Sequence, residues 1–163
     1  MAFNAYLKID GVDGESTGKG FEKFIELQSF NFGAQMPHTM SGAGGFSAGR
    51  PDVSAFSVSK LTDVASPILF SACCSGKHFL KAWVVVNKSS GQGADLTYLK
   101  YDFKNVFIDS IQMSGTGGGG GLPTSEALAF SFGYVEISYT PQTEKGAAGS
   151  PVRASYDVQK GVV

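Results

Sequence analysis

Alternation of apolar and polar residues dominates this chain and predicts β-strands along most of its length. Leu7 and Ile9 alternate with charged neighbours near the start. A strand over 54–60 places Phe56 and Val58 on one face. A two-residue period of this kind is typical of strands that bury one side only.

Two longer segments repeat the pattern with aromatic side chains. The strand predicted over 96–108 has one apolar face, consisting of Leu99, Tyr101, Phe103 and Phe107. The strand predicted over 127–139 has another, consisting of Leu128, Phe130, Phe132 and Tyr134, before Ile137.

Two other strands are apolar on both faces. In the strand predicted over 22–34 the apolar positions change parity, and a bulge at Gln28 and Ser29 would reconcile them. The strand over 78–88 has a fully apolar centre at 82–86. Because a barrel buries one face of each strand, this excess predicts contact with further copies of the chain. The alternative is that the helix and the tail cover these faces.

One short helix is predicted between the strands. Ser66 is the expected N-cap, Pro67 suits the first helical position, and Gly76 marks the end. The apolar stripe consists of Ile68, Leu69, Ala72 and Cys73. Many strands with a single helix predict a mainly β fold: a small β-barrel of two packed antiparallel sheets, forming one domain over 1–163, with the helix capping one opening.

Three segments carry no strong apolar period. Residues 35–52 are rich in Gly, Ser and Ala and predict a long loop after the second strand, and loops of this length are usually functional or mobile. Residues 115–121 hold six glycines and predict a flexible connector. The arm over 141–163 is polar, but its weak two-residue period predicts an added edge strand.

Composition narrows the class of protein. Charged residues make up 17% of the 163 residues, with 13 basic and 14 acidic side chains. This balance predicts no electrostatic attraction to nucleic acid or to an anionic membrane surface. No apolar run approaches the roughly 20 residues needed to span a bilayer. Cys73 and Cys74 are adjacent, which disfavours a disulfide between them and predicts reduced, largely buried thiols. The N-terminus lacks the pattern of a signal peptide, so we expect folding in the cytoplasm and any export by another route.

Candidate catalytic and metal-binding motifs lack the context that their chemistry needs. Ser47 lies in a G-x-S-x-G pattern with Asp63 and His78 downstream, but no apolar strand precedes it and Pro51 follows it. A flexible Gly/Ser loop is the preferred interpretation. We therefore predict no enzyme activity.

Metal and cofactor sites are not expected either. Asp10, Asp13 and Glu15 do not complete a calcium loop, and a solvated turn is the preferred interpretation. His38 and His78 are the only histidines, lie forty residues apart and have no acidic cluster near them in the sequence. No cofactor or metal is predicted.

Taken together, the segments resemble the haemolysin-coregulated protein (Hcp) family. The resemblance lies in LKIDGVDGES, FIELQSFNFG, the following Gly/Ser loop ending in GRPD, DVASPILFSACCSGKH, YLKYDFKNVFIDSIQMSG, LPTSEALAFSFGYVEISYTPQ and PVRASYDV, which run in family order from residue 7 to residue 158. Departures occur at Phe24 and Tyr156, where relatives often carry Trp, and at 17–20, where relatives carry charged residues.

The resemblance implies a function without catalysis. Members form a hexameric ring with a wide hole, and the rings stack into the inner tube of a type VI secretion system, which exports the tube without a signal peptide. Implied partners are the chain itself, the spike, sheath and baseplate proteins, and small effector proteins held in the lumen. A phage-like tail tube and a monomeric β-sandwich binding module remain the alternatives.

The resemblance also implies which residues make contacts between copies. The family's long loop, here 35–52, contacts a neighbouring subunit or ring, and the terminal arm is the second candidate. The candidate contacts in the loop are Gln35, Met36, Pro37, His38, Thr39, Met40, Phe46, Arg50 and Asp52. The candidates in the arm are Val152, Tyr156 and Val158. We expect deletion of Thr39 to Gly49 to leave rings intact and to abolish tube growth and secretion.

Overall fold

A computed structural model describes residues 3–41, 45–89, 95–118, 120–121 and 123–163. Over these residues the chain is mainly β, as predicted, with twelve strands and one helix. The strands are Phe3–Ile9 (β1), Ile25–Leu27 (β2), Ser29–Asn31 (β3), Ala34–Gln35 (β4), His38–Ser41 (β5), Gly45–Ala48 (β6), Asp52–Val53 (β7), Phe56–Leu61 (β8), His78–Ser89 (β9), Asp95–Ser114 (β10), Ser125–Tyr139 (β11) and Val152–Asp157 (β12). The helix α1 spans Ser66–Ser75.

Eight strands form one antiparallel sheet that curls into a nearly closed barrel. Their order is β2-β1-β9-β10-β11-β8-β3, and β12 also pairs with β11. The two outermost strands of this path, β2 and β3, are consecutive in the chain, so the covalent backbone joins the two ends of the path. Between them, Gln28 N–H donates to the Ser59 carbonyl at 2.8 Å. The predicted barrel is thereby confirmed.

The predicted single strand over 22–34 is wrong in detail. It is broken at Gln28, where the chain leaves β1 and begins to pair with β8. The change of parity is therefore a corner of the barrel. Ile25 before the corner and Phe30 and Phe32 after it all pack into the same core. Both sets of apolar residues face inward, which removes the apparent excess of outer apolar surface from this segment.

A second bend crosses three neighbouring strands at one level. Leu80 of β9, Asn105 of β10 and Gly133 of β11 lie side by side, because the pairs on either side of them are in register. Asn105 adopts φ 55°, a left-handed backbone that Asn tolerates better than most residues. All three strands exchange inward and outward positions here. The predictions that Phe107 and Tyr134 continue their inward faces are therefore wrong.

The change of face at this level is visible in the burial pattern. Phe103 is buried before the bend, whereas Val106 and Ile108 are buried after it. Phe107 is 43% exposed, and Leu80 is 64% exposed at the bend itself. Because the bend involves three strands together, the sheet turns as a unit around the core and keeps the same register on both sides of the bend.

The core of the barrel is aromatic. Phe56 is fully buried and its ring lies 5.1 Å from Phe103, 5.4 Å from Phe130 and 5.2 Å from Tyr101, measured between ring centroids. Burial raises the pKa of the Tyr101 hydroxyl. Edge-to-face and offset pairs of this kind add about 0.5–1.5 kcal/mol each beyond the burial of their area.

The helix begins one residue earlier than predicted. Ala65 occupies the N-cap position without a side-chain cap, and Ser66 is the first helical residue. Ser66 Oγ instead accepts a hydrogen bond from Asp63 N–H at 3.0 Å. The predicted end is confirmed, because Gly76 has a left-handed φ of 65° and its N–H reaches the carbonyls of the last turn.

Only part of the predicted helical stripe is buried. Leu69 and Ala72 belong to the core, Cys73 is half-buried, and Ile68 is exposed. Cys74 is exposed as well, so the expectation of two largely buried thiols is wrong for this residue. The helix packs against β10 on one side only and leaves its other side to the solvent.

Candidate assembly surfaces

The predicted loop over 35–52 is a hairpin arm rather than an irregular loop. At its base, β4 pairs with β7, with Gln35 opposite Asp52. Further out, β5 pairs with β6, and Gly49 N–H donates to the Pro37 carbonyl at 2.9 Å between the two ladders. The sequence shows no apolar period here because neither face of the hairpin is buried. The two ladders pair the backbone groups on the facing edges of its strands.

Candidate contact residues on the arm are exposed. Gln35, His38 and Thr39 all face solvent, and Gln35 Nε2 donates to Asp52 Oδ2 at 3.3 Å. Met40 is 78% exposed, which is unusual for a large apolar side chain. Phe46 lies opposite Met40 in the ladder, and its side chain is outside the part that the structure describes.

The arm and the terminal segment meet, although they were predicted separately. Arg50 Nη2 donates to the Val158 carbonyl at 2.9 Å, across 108 positions of sequence. The predicted edge strand is confirmed as β12, which pairs with β11 from Tyr139 opposite Val152 to Tyr134 opposite Asp157. Val152 lies at the far end of this strand and is 68% exposed. Tyr156 is half-buried near the arm.

An open apolar groove lies where the arm leaves the barrel. Its volume is about 290 Å³, and it is bounded by the base of the arm, the C-terminal part of β11 and the terminal segment. The residues that shape it are Met36, Val53, Ile137, Ala154, Tyr156 and Val163. None of these side chains carries a charge. The two sets of candidate contacts therefore share one apolar surface, which we call the arm groove.

The outer face of β9 is covered by a segment that the sequence interpretation did not consider. Phe24 packs edge-on against Trp83 at 6.2 Å between ring centroids. Phe21 stacks on Tyr6 at 4.9 Å, with the two rings parallel within 1°. Val85 on the same face is 4% exposed. The turn segment between β1 and β2 therefore buries the face that we expected another copy, the helix or the tail to cover.

This aromatic cover is held in place by the chain around residue 14. Gly14 N–H donates to the Lys23 carbonyl at 2.8 Å, and Ser16 N–H donates to the Phe24 carbonyl at 2.9 Å. Gly14 lies so close to this backbone that a Cβ atom there would be 2.7 Å from the Ile25 nitrogen. Burial also raises the pKa of the Tyr6 hydroxyl beneath Phe21.

The motif residues are engaged in structural contacts. Ser47 lies in β6 opposite Thr39, not at a strand-to-helix elbow. Asp63 binds Lys60 at 2.9 Å, and His78 Nε2 lies 3.2 Å from Asn105 Oδ1. A nucleophile elbow therefore does not form. Glu15 Oε1 accepts a hydrogen bond from Val64 N–H.

Asp13 is ion-paired rather than part of a calcium loop. Lys8 Nζ lies 2.6 Å from Asp13 Oδ1 and also donates to the Val12 carbonyl. The hydrogen bond from Lys8 to the Asp13 carboxylate and the charge of Lys8 lower the pKa of Asp13, with a weaker contribution from Lys23. Within the described residues, no group of three or more His, Cys, Asp and Glu side chains is placed to hold a metal ion.

The sequence interpretation missed a buried ion pair in the barrel, next to the start of α1. Lys60 and Glu126 face each other on β8 and β11, and their side chains are both fully buried. Lys60 Nζ also binds Asp63 and donates to Ser66 Oγ at 3.1 Å. A signal was present: Lys60 shares the inward parity of Val58, and Glu126 shares that of Leu128. The pair ties the helix start to the barrel wall.

Comparison with known proteins agrees with this architecture. The family model described as "Type VI secretion system effector, Hcp" matches residues 6–139. Protein hcp1 of Pseudomonas aeruginosa is 32% identical over 163 residues, which cover 99% of each chain. Hcp1 from Salmonella typhimurium superposes with a TM-score of 0.81 at 31% identity and 99% coverage of both chains.

A second solved structure is closer in shape. A protein described as a type six secretion system protein superposes with a TM-score of 0.91 at 33% identity, covering 98% of each chain. The match of the family model over most of the chain shows the family. The chain belongs to the Hcp family of type VI secretion proteins.

Proposed function

We propose that this chain is a structural ring subunit that stacks into the inner tube of a type VI secretion system. The support is its membership of the Hcp family together with one structural observation. A hairpin arm leaves a nearly closed barrel, and the arm presents Met40 to solvent. A large apolar side chain exposed on a projecting arm is suited to contact with another protein and contributes little to folding.

The proposed assembly is a homohexameric ring, a number that comes from the family resemblance. Besides Met40, exposed apolar side chains occur on the helix and on β9 and β12, at Phe70, Leu80 and Val152. Each of these is a single exposed residue, and only a contiguous apolar patch marks an interaction site by itself. The proposed ring contacts would remove these side chains from water, which favours association.

The proposed export follows from the same function. The chain would fold in the cytoplasm and leave through the secretion machine, together with the spike and inside the sheath assembled on the baseplate. Within the described ranges no helix has the length and apolar character needed to cross a bilayer. Small effector proteins carried in the lumen are a further proposed partner. The proposed role requires no catalysis, metal or cofactor.

The arm is proposed to act in stacking and not in ring formation, so shortening it tests the proposed function. Replacing Thr39 to Gly49 by Asn-Gly leaves seven residues between Gln35 and Asp52, so the base ladder can close over a three-residue loop, His38-Asn-Gly, whose last position suits glycine. We expect the shortened protein to form rings in electron micrographs and to show no tubes and no secretion. An exchange of Ser110 for Thr, outside the arm, is the control. Shortened rings that still stack into secretion-competent tubes would contradict the role of the arm.

A further inference from the structure

We propose that the outer face of β10 and its neighbours binds an extended segment of another protein. In this segment an arginine has a carboxylate two residues away on each side. The face consists of the outward side chains at the levels of Lys104, Asp102 and Lys100, and we call it the banded face. These residues point outward because Tyr101 and Phe103, which alternate with them, are buried in the core. The inference goes beyond the proposed stacking and does not depend on it.

Charges on the banded face are grouped by sign in bands that cross the strands. In the first band Lys104 of β10 lies directly opposite Lys81 of β9. In the second band Asp102 lies between Trp83 of β9 and Glu136 of β11, directly opposite both. Like charges in directly opposed positions destabilise a sheet. The stability of the sheet therefore does not account for this arrangement of charges.

A third band completes the pattern. Lys100 of β10 and Arg153 of β12 both lie opposite Ser138 of β11. Neighbouring bands are two residues apart along β10, which is about 7 Å, and alternate side chains of any extended chain have the same spacing. A segment lying along β10 on the banded face would therefore meet a basic, an acidic and a basic band at alternate residues. Its complement is an acidic, a basic and an acidic residue at alternate positions.

The middle band favours arginine over lysine at the centre of the segment. An open depression of about 250 Å³ lies here, and the outward side chains that line it are Lys81, Trp83, Asp102, Lys104, Tyr134 and Glu136. Trp83 is half-buried, so part of its ring remains accessible beside the two carboxylates. A planar guanidinium stacks on an aromatic ring and donates several hydrogen bonds to carboxylates, whereas an ammonium acts as a point charge. The depression therefore combines the two kinds of group that recognise arginine.

The charged groups of the banded face are accessible to a ligand. The Asp102 side chain is 38% exposed, and its 3.2 Å pair with Lys100 is of the exposed kind that costs little to open. The Tyr134 hydroxyl donates to Glu136 Oε2 at 3.4 Å, which leaves the other carboxylate oxygen of Glu136 for a second donor. Lys104 Nζ lies 4.7 Å from the centre of the Tyr134 ring and is exposed. Each band therefore has groups that can pair with an incoming side chain.

The ligand has to come from a protein other than this one. Nowhere in the 163 residues do an acidic, a basic and an acidic residue occupy three alternate positions. Asp102 and Lys104 give two of the three, but they belong to the banded face itself. A second copy of the chain therefore supplies no matching segment, and the banded face fits a different partner.

A peptide titration tests the assignment, because Trp83 is the only tryptophan and lies in the depression. The probe is acetyl-Gly-Glu-Thr-Arg-Thr-Glu-Gly-amide, which has no aromatic residue of its own. We expect it to change the emission of Trp83 saturably, and to bind more weakly when the salt concentration rises from about 0.05 M to about 0.5 M. The control peptide acetyl-Gly-Arg-Glu-Glu-Thr-Thr-Gly-amide has the same composition and net charge without the alternation, and should give no saturable change.

Two variants identify the carboxylates that hold the arginine. Asp102→Asn and Glu136→Gln should each weaken binding of the probe about threefold to fivefold, the contribution of one partly exposed ion pair, and together about tenfold or more. Glu144→Gln neutralises an exposed carboxylate outside the banded face and should leave binding unchanged. The thermal unfolding midpoint of Glu136→Gln should equal or exceed that of the unaltered chain, because an opposition of like charges is removed.

Three results would overturn the assignment. The first is equal binding, or no binding, of the probe and the control peptide. The second is undiminished binding by the double variant of Asp102 and Glu136. The third is a lower unfolding midpoint of Glu136→Gln with unchanged affinity for the probe, which would assign this carboxylate to folding. The titration is read without reference to rings or tubes, so a failure of the proposed stacking would leave its result unaffected.

Discussion

Lys60 and Glu126 form a 2.8 Å ion pair between directly opposed positions of β8 and β11, with both side chains fully buried. A buried pair of this kind contributes little to stability compared with an apolar pair of the same size, but breaking it leaves a charge without compensation. Its position beneath the start of α1 connects the barrel wall to the helix through Asp63 and Ser66.

Replacing only one member of this pair should destabilise the protein strongly. We expect Lys60→Met to lower the free energy of unfolding by about 3–5 kcal/mol, because the Glu126 carboxylate stays buried without its partner. Denaturant unfolding measures this. The double variant Lys60→Met/Glu126→Leu should recover most of the loss, and a double variant as unstable as the single one would contradict the explanation. Lys100→Ala, which breaks an exposed pair with Asp102, should cost less than about 1 kcal/mol.

The close approach at Gly14 predicts a position that accepts no side chain. We expect Gly14→Ala to lower the free energy of unfolding by about 3 kcal/mol, because the added Cβ would collide with the Ile25 nitrogen and with backbone atoms of Phe24, which cannot move aside as a side chain can. Gly33→Ala is the matched control. Nothing lies within 4 Å of a Cβ there, so its effect should be neutral or slightly stabilising. Equal effects of the two changes would show that the approach at Gly14 is not tight.

The aromatic cover can be tested through the only tryptophan of the chain. We expect Phe24→Ala to shift the fluorescence of Trp83 to longer wavelength in the folded protein, because the ring that shields it is lost. The free energy of unfolding should fall by about 2 kcal/mol, less than for a fully buried ring, since Phe24 is half-buried. Met113→Ala removes an exposed side chain near the end of β10 and should change neither quantity appreciably. An unshifted emission in Phe24→Ala would contradict the cover.

The pair of Lys8 and Asp13 predicts a particular pH dependence. The hydrogen bond and charge of Lys8 hold the pKa of Asp13 below its usual value in the folded state. A lowered folded-state pKa gives a stabilising contribution above the unfolded-state pKa, which is lost as the pH falls through the folded-state pKa. We expect Lys8→Met to raise the pKa of the Asp13 carboxyl in an NMR titration, whereas Lys145→Met, remote in sequence, leaves it unchanged. An Asp13 titration unaffected by Lys8→Met would contradict the pairing.

Much of the barrel could be predicted from the sequence, because the alternation of apolar and polar residues within a strand shows which of its faces points inward. Phe56 and Val58 predicted their strand and its buried side correctly, and Gly76 predicted the end of the helix. The family resemblance, which depends on the order of all the segments, was confirmed by the matched relatives. The weak period around Tyr156 was sufficient to predict the edge strand.

The failures have a common physical cause, which is cooperation between segments distant in sequence. The face change at Asn105 depends on Leu80 and Gly133 lying at the same level, and no single strand shows this. The hairpin in the arm forms because its strands have only each other to pair with. Likewise, the cover of Trp83 by Phe24 connects a turn to a distant strand. It removes the argument that outer apolar strand faces alone require self-association.

The case for assembly therefore depends on the exposed arm, its groove and the family, and one measurement tests it most directly. Native mass spectrometry of the purified chain at high micromolar concentration, with electron micrographs of the same sample, reports the number of subunits and the shape of the particle. We predict closed rings of six subunits. A stable single subunit without annular particles at that concentration would contradict the account.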